Sequence, residues 1–271
     1  MTVDGLIPAI SAVIQAFLLV AGVYIYVSLL RQFAARAPNA EIPPARTFDW
    51  PEAVIAILLT SFFLLTLAGA SAHNASRMRS VDLIASGALT VGMLLALAGF
   101  LRLRRFDLNL TGGFSRIGFF RTIVTGGILI LAAYPLIILA DVVTQRLLQS
   151  GPQPQAIVEM FSESTTLNQR ILIIVLAVSL APIAEEFIFR FFIYGVARRY
   201  FGRGIGVVVS SLLFAAVHAH LPSFAPLFVL GTCFAIAYEW SGSILVPMTM
   251  HALFNAIILT ALAFPELVQK P

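Results

Sequence analysis

Apolar residues run along this chain in blocks of about twenty, separated by short clusters of polar and charged positions. A bilayer core about 30 Å thick needs roughly 20 helical residues at 1.5 Å each, so each block predicts a membrane-spanning helix. The blocks fall near residues 6–30, 51–72, 81–101, 117–140, 170–197, 204–220, 225–240 and 243–264. The expected fold is therefore all-α, a polytopic transmembrane bundle of about eight helices. Hydrophobic residues make up 59% of the chain and charged residues 11%, with a mean hydropathy of +0.95. That composition is far from a soluble average.

Connections between blocks are too short for a separate soluble domain, so one membrane domain is expected. Within it, residues 1–164 hold the first helices and loops, 165–262 a core of four helices, and 263–271 a tail. The first block has no small-residue cleavage site after a short apolar region, which predicts a retained helix and an N-terminus at Met1 or Thr2. The longest polar interval, Asp141 to Asn168, is interrupted by Ser150, Gly151, Pro152 and Pro154. Beyond them Ala156, Ile157, Met160 and Phe161 recur at helical spacing beside Glu159 and Glu163, the pattern of an interfacial helix or lid, with a plain connecting loop preferred to a gate. Ala37 to Pro44 reads as a proline-bearing loop.

Net charge is +4, but the basic residues are spread over many loops, so they report topology and not a nucleic-acid partner. Arg31, Arg36, Arg46, Arg102, Arg104, Arg105, Arg116, Arg198, Arg199 and Arg203 fall in odd-numbered loops. Only Arg77, Arg79, Arg146, Arg170 and Lys270 fall in even loops and the C-terminus. The positive-inside rule then places odd loops inside and both termini outside. Many Ala and Arg residues with a single Lys suggest a GC-rich bacterial genome, hence a multi-pass protein of the bacterial inner membrane. The one cysteine, Cys233, sits in an apolar run and suits packing.

Several polar residues interrupt the last four blocks: Glu185, Glu186, Arg190, His218, His251 and Asn255. A charged side chain at mid-bilayer costs roughly 2.5–3.5 kcal/mol on insertion scales, so such residues are expected to face one another across an interior cluster. At about 100° per residue, Glu186 and Arg190 share a helix face and predict an intrahelical ion pair, whereas Glu185 points elsewhere, toward a cavity. His218 ends an apolar helix, and His220, about 200° around the axis, is expected to face away or lie in the following turn. His251 and Asn255, four apart, share one stripe of the last helix. Each alone also suits helix packing, where interhelical bonds average about 0.6 kcal/mol.

Together Glu185, Glu186 and Arg190 (EExxxR), Phe214 and His218 (FxxxH), and His251 and Asn255 (HxxxN) resemble the CPBP family of intramembrane proteases. That family includes type II CAAX prenyl endopeptidases and bacterial relatives linked to bacteriocin processing and immunity. The resemblance covers roughly residues 165–262. It implies an intramembrane peptidase whose substrate is a peptide or membrane-protein segment, prenylated CAAX peptides being one option. Many relatives carry glycine after the motif arginine, where this chain has Phe191, so a narrower cavity is expected, with Gly195 providing a close approach instead.

The residues fit that chemistry. A carboxylate among apolar helices can serve as general base, so Glu185 and His218 are expected to activate water. His251 and Asn255 offer donors for an oxyanion, and Glu186 with Arg190 supports them. No cofactor is expected. Catalytic zinc is the alternative, disfavoured by the lack of HExxH, by ligands from three separate helices and by the rarity of asparagine as a ligand. No serine or cysteine stands in a nucleophile motif. A non-catalytic scaffold or bacteriocin-immunity protein could use the same cluster for packing or peptide binding; a transporter is disfavoured by the absence of repeats. Counted along the predicted spans, Glu185 lies about 8 Å, His251 about 12 Å and His218 about 21 Å from the inner edge, so the three do not meet in straight helices. The preferred resolution is a re-entrant break at Pro182, over a sixth helix that begins before Gly204 and is strongly tilted, with the site a third to half of the way in from the cytoplasmic side.

Overall fold

The structure, a computed structural model, describes residues 3–35, 47–72, 80–149, 156–164 and 166–264. The loop expected at Ala37 to Pro44, the terminal Met1 and Thr2, the Ser150 to Pro154 interruption and most of the tail lie outside the described residues. The apolar blocks become α1 (Val3–Ala34), α2 (Trp50–Ala72), α3 (Ser80–Leu103) and α5 (Phe119–Leu148), with short α4 (Leu108–Gly112) and α6 (Ala156–Glu163) between them. There follow α7 (Leu167–Val175), a π-helical turn (Leu176–Leu180), α8 (Ala181–Glu186), a second π segment (Phe187–Ile193) and α9 (Tyr194–Val217). A 3₁₀ turn (Leu221–Ser223) leads into α10 (Phe224–Ser241), and α11 (Leu245–Ala263) closes the bundle.

Seven helical stretches among the described residues are long and apolar enough to cross a membrane. One of them is a 51-residue run, Leu167–Val217. At 1.5 Å per residue it would reach about 75 Å, more than twice the bilayer core, if it were straight. It is not. Gly202 has φ 83° and ψ 171°, a region that essentially only glycine enters, and the chain reverses there. Phe189 on one leg meets Phe214 on the other, and Tyr194 packs with Val207, as two antiparallel legs require. The expected fifth and sixth helices are thus the two legs of a hairpin.

Pro182 does not open a re-entrant break, contrary to the expectation. Backbone dihedrals remain right-handed helical at Leu180 (φ −70°, ψ −49°) and Ala181 (φ −61°, ψ −50°). The preceding π-helical turn accommodates the proline instead, with the Ala181 N–H bonded to the Leu176 carbonyl five residues back. The register comes from Gly202: Glu185 precedes it by 17 residues and His218 follows it by 16, so both lie at one level of the hairpin. The depth count failed because it took hydropathy windows as helix ends, whereas the legs run on to the glycine.

Helix α10 lies at the centre, packed against α1, α5, α9 and α11. Helices α1 and α5 approach backbone to backbone at Gly22, where a Cβ would collide with the Ala132 carbonyl. Tyr26 Oη then donates to the Leu129 carbonyl at 2.9 Å. Outward faces carry exposed Phe17, Leu65, Leu95, Phe120 and Leu131, suited to lipid and not to water. Helix α5 continues past the expected end at residue 140, and Gln145 donates to Asp141 one turn back at 2.8 Å. In α6, Met160 and Phe161 are buried while Glu159 and Glu163 are exposed, the amphipathic division read from sequence.

Candidate active site

Glu185, His218, His251 and Asn255 line one cavity of about 540 Å³, walled chiefly by apolar side chains of α3, α5, α10 and α11. Glu186 and Arg190 lie behind its wall, fully buried. The two glutamates therefore diverge as the helical angles require.

His218 Nδ1–H donates to the Phe214 carbonyl one turn earlier at 2.7 Å. A neutral ring so held carries its lone pair on Nε2. That atom lies 4.0 Å from Glu185 Oε2, too far for a direct hydrogen bond. Glu185 Oε2 has no hydrogen-bond donor among the described residues. That 4.0 Å separation equals the span of two hydrogen bonds of about 2.8 Å meeting at about 90° on a shared oxygen. Directly after His218, Ala219 takes a left-handed conformation at φ 50° and turns the chain out of α9. His220 then shares a 2.8 Å hydrogen bond with Ser223 Oγ and does not line the cavity. Burial holds its imidazole below the ordinary value, with Glu159 acting in the opposite direction.

Glu186 Oε1 accepts from two sides: Arg190 Nη1 at 3.0 Å and His251 Nδ1–H at 2.9 Å. Arg190 Nη2 also donates to the Gly231 carbonyl at 3.3 Å. Its guanidinium carbon stands 4.2 Å from the Phe214 ring centroid and 5.2 Å from that of Phe234. Phe234 in turn stacks on His251 at 5.1 Å. The ion pair thus extends into a chain, Arg190 to Glu186 to His251, which aims the His251 ring. Phe214 serves both histidine and arginine, one with its carbonyl and one with its ring.

Asn255 Nδ2 donates to the Ala177 carbonyl at 2.7 Å. Ala177 lies in the first π turn, where the Ala181 N–H has moved on to Leu176. The next backbone donor in π register belongs to residue 182, which as proline has none. The sequence offers His251 and Asn255 as donors; the structure gives His251 a buried partner and Asn255 a part-buried one, leaving one amide N–H of Asn255 and Nε2 of His251 for the cavity. Neither Ala177 nor Pro182 was legible as part of the site, although a proline five residues after a helical carbonyl is the signal for an open acceptor.

Two expectations need correction. Phe191 does not narrow this cavity: it stacks on Phe187 at 4.8 Å and meets Phe48 edge-on, on the far side of the helix. Gly195 does permit a close approach, but to the Phe48 ring and not to the cavity. At about 100° per residue Phe191 lies about 120° and Gly195 about 80° around the axis from Glu185, off the cavity face. Among the described residues no three His, Cys, Asp or Glu side chains are grouped so as to hold a metal ion.

Residues 167–257, from α7 into α11, match the family described as type II CAAX prenyl endopeptidase Rce1-like. This segment is similar to that family. It holds all six of the polar residues described above and about a third of the chain. Among curated proteins, the chain is 32% identical over 98 residues to the membrane-embedded CAAX protease MroQ of Staphylococcus aureus (strain USA300), covering 34% of this chain and 40% of that protein. It is 35% identical over 89 residues to YpbD of Bacillus subtilis (strain 168), covering 31% of this chain and 43% of that protein. The chain thus spans about two fifths of the length of these relatives. No solved structure matches. The Rce1-like segment begins at the first residue of α7, so α1 to α6 fall outside it.

Proposed function

We propose that the chain is an intramembrane endopeptidase that hydrolyses a peptide bond with water activated by Glu185 and His218. The observation that carries this reading is the pair of unsatisfied acceptors, Glu185 Oε2 and His218 Nε2, 4.0 Å apart on the wall of an apolar cavity. Two acceptors at that separation suit one water that donates to both. As the water attacks the carbonyl carbon, its proton passes to the pair, and His218 returns a proton to the leaving amine. The oxyanion is met by the second amide N–H of Asn255 and by the His251 ring, which Glu186 orients through Nδ1. Glu186 and Arg190 position that ring and do not touch substrate. The cavity suits an extended apolar segment of a peptide or membrane protein.

The test compares membrane-protein fragments from cells making the intact chain with those from cells making Glu185→Gln. Fragments that accumulate only with the intact chain, and persist when a chelator is added to the purified reaction, support the proposal. Identical fragment patterns in a Glu185→Gln protein that folds normally would favour the scaffold or immunity reading instead.

A further inference from the structure

A second cavity, of about 600 Å³, lies on the opposite side of the motif helix, where Phe191 and Gly195 face away from the active site. Arg116, Arg198 and Arg199 border it. One carboxylate stands in its wall, Glu239, and that group is already committed. It accepts from Tyr194 Oη at 2.5 Å and Arg198 Nη1 at 2.8 Å, and pairs with Arg203 Nε at 2.7 Å. Arg116 and Arg199 are exposed and have no carboxylate partner among the described residues. The cavity therefore has an excess of positive charge.

The placement of Arg116 is built into the fold. Asp107 caps α4 by accepting from the Leu110 N–H at 3.0 Å, and Gly113 ends that helix at φ 65°. The Gly113 backbone lies against the Gly242 carbonyl, and the Ile244 N–H donates to the Gly112 carbonyl at 2.9 Å. Two loops from distant parts of the chain are thereby locked together. Arg116 lies across Gly242 so closely that no Cβ would fit there. Three residues beyond Arg116, α5 opens with Phe119 and Phe120, 81% and 76% exposed. Guanidinium forks thus sit beside an apolar helix start, at the end of the bundle that the arginine distribution assigns to the cytoplasm.

We infer that this cavity seats the phosphate group of an anionic phospholipid, held by Arg116 and Arg199, with the acyl chains running along the start of α5. Arginine forks match phosphate oxygens in pairs, and basic pockets at the cytoplasmic ends of membrane helices face the leaflet in which anionic lipids gather. Soluble phosphate has the same headgroup chemistry, but nothing that would use the exposed phenylalanines. The seat is independent of the hydrolytic reading above.

The experiment places the full chain in nanodiscs of phosphatidylcholine, alone or with about one quarter phosphatidylglycerol, and reads melting temperature and lipid retained in native mass spectrometry. Phosphatidylglycerol should be retained preferentially and raise the melting temperature. In R116Q/R199Q its retention should fall roughly thirtyfold, since each basic side chain near an anionic surface contributes about a fivefold gain. R146Q, which alters an exposed arginine remote from the cavity, should behave as the parent. R116K/R199K, which keeps the charge but loses the fork, should fall between them and provides the comparison if the glutamine variant fails to fold. If millimolar inorganic phosphate in neutral nanodiscs raises the melting temperature as far, the seat takes soluble phosphate and the lipid assignment is wrong. No preference for phosphatidylglycerol, or an equal preference in R116Q/R199Q, would overturn the proposal.

Discussion

Asn255 completes the backbone hydrogen bonding of Ala177 across two helices, at 2.7 Å, where Pro182 leaves the carbonyl without a donor from its own helix. The last helix and the motif helix are therefore joined by a bond whose need is created by a proline on one and whose donor is supplied by an asparagine on the other.

Asn255→Ala should destabilise the protein by about 0.5–1.5 kcal/mol, the net worth of a part-buried hydrogen bond. Pro182→Ala restores an N–H in π register and should remove part of that cost, so the double variant should be more stable than the sum of the singles requires. Denaturation of the four proteins of this cycle in detergent measures the coupling, and strict additivity would show that the proline and the asparagine do not communicate.

Glu185→Gln should leave melting unchanged, because the side chain is partly exposed to the cavity and its Oε2 has no partner to lose. Peptide cleavage should fall at least about a hundredfold, the usual loss on removing a general base. Retained cleavage with purified protein would assign water activation to another group.

Arg190→Ala should reduce the yield of folded protein, with a loss of about 3–5 kcal/mol, since Glu186 would be left charged and buried with only His251 beside it. Arg190→Lys should rescue little, because a lysine cannot reach Glu186 and the Gly231 carbonyl together while its charge stays beside the Phe214 and Phe234 rings. A folded Arg190→Ala protein that had lost only activity would make the arginine a catalytic residue.

Ala219→Gly relieves a left-handed residue and should raise stability by up to about 1 kcal/mol, once the greater freedom of glycine in the unfolded chain is set against the relief. It also loosens the turn that fixes His218, so cleavage should slow even as melting rises. Calorimetry and turnover on one preparation separate the two effects; a lower melting temperature would count against the turn geometry.

The apolar blocks made the helices legible because twenty-residue runs need only length and composition to declare themselves. Glu186 and Arg190 were legible as a pair because their partnership is local, four residues along one helix. His251 was not legible as the third member, since its bond to Glu186 spans 65 residues and depends on packing. The π segments had no sequence signature beyond Pro182. The relative levels of Glu185 and His218 were misjudged for a related reason: hydropathy marks where a chain leaves lipid, while the turn that sets the register is a backbone conformation at one glycine.

The hairpin at Gly202 makes the site a matter of counting. Its two acceptors stand at nearly equal distances along the legs, so the spacing between them is indifferent to how far the bundle sinks into thick or thin lipid. It is sensitive to chain length between Glu185 and His218 instead. Deleting one residue on either leg would slide that leg by about 1.5 Å and rotate it by about 100°, turning one acceptor off the cavity. Insertions and deletions, far from the reacting atoms and harmless to a stretch of lipid-facing helix elsewhere, would there act as active-site mutations.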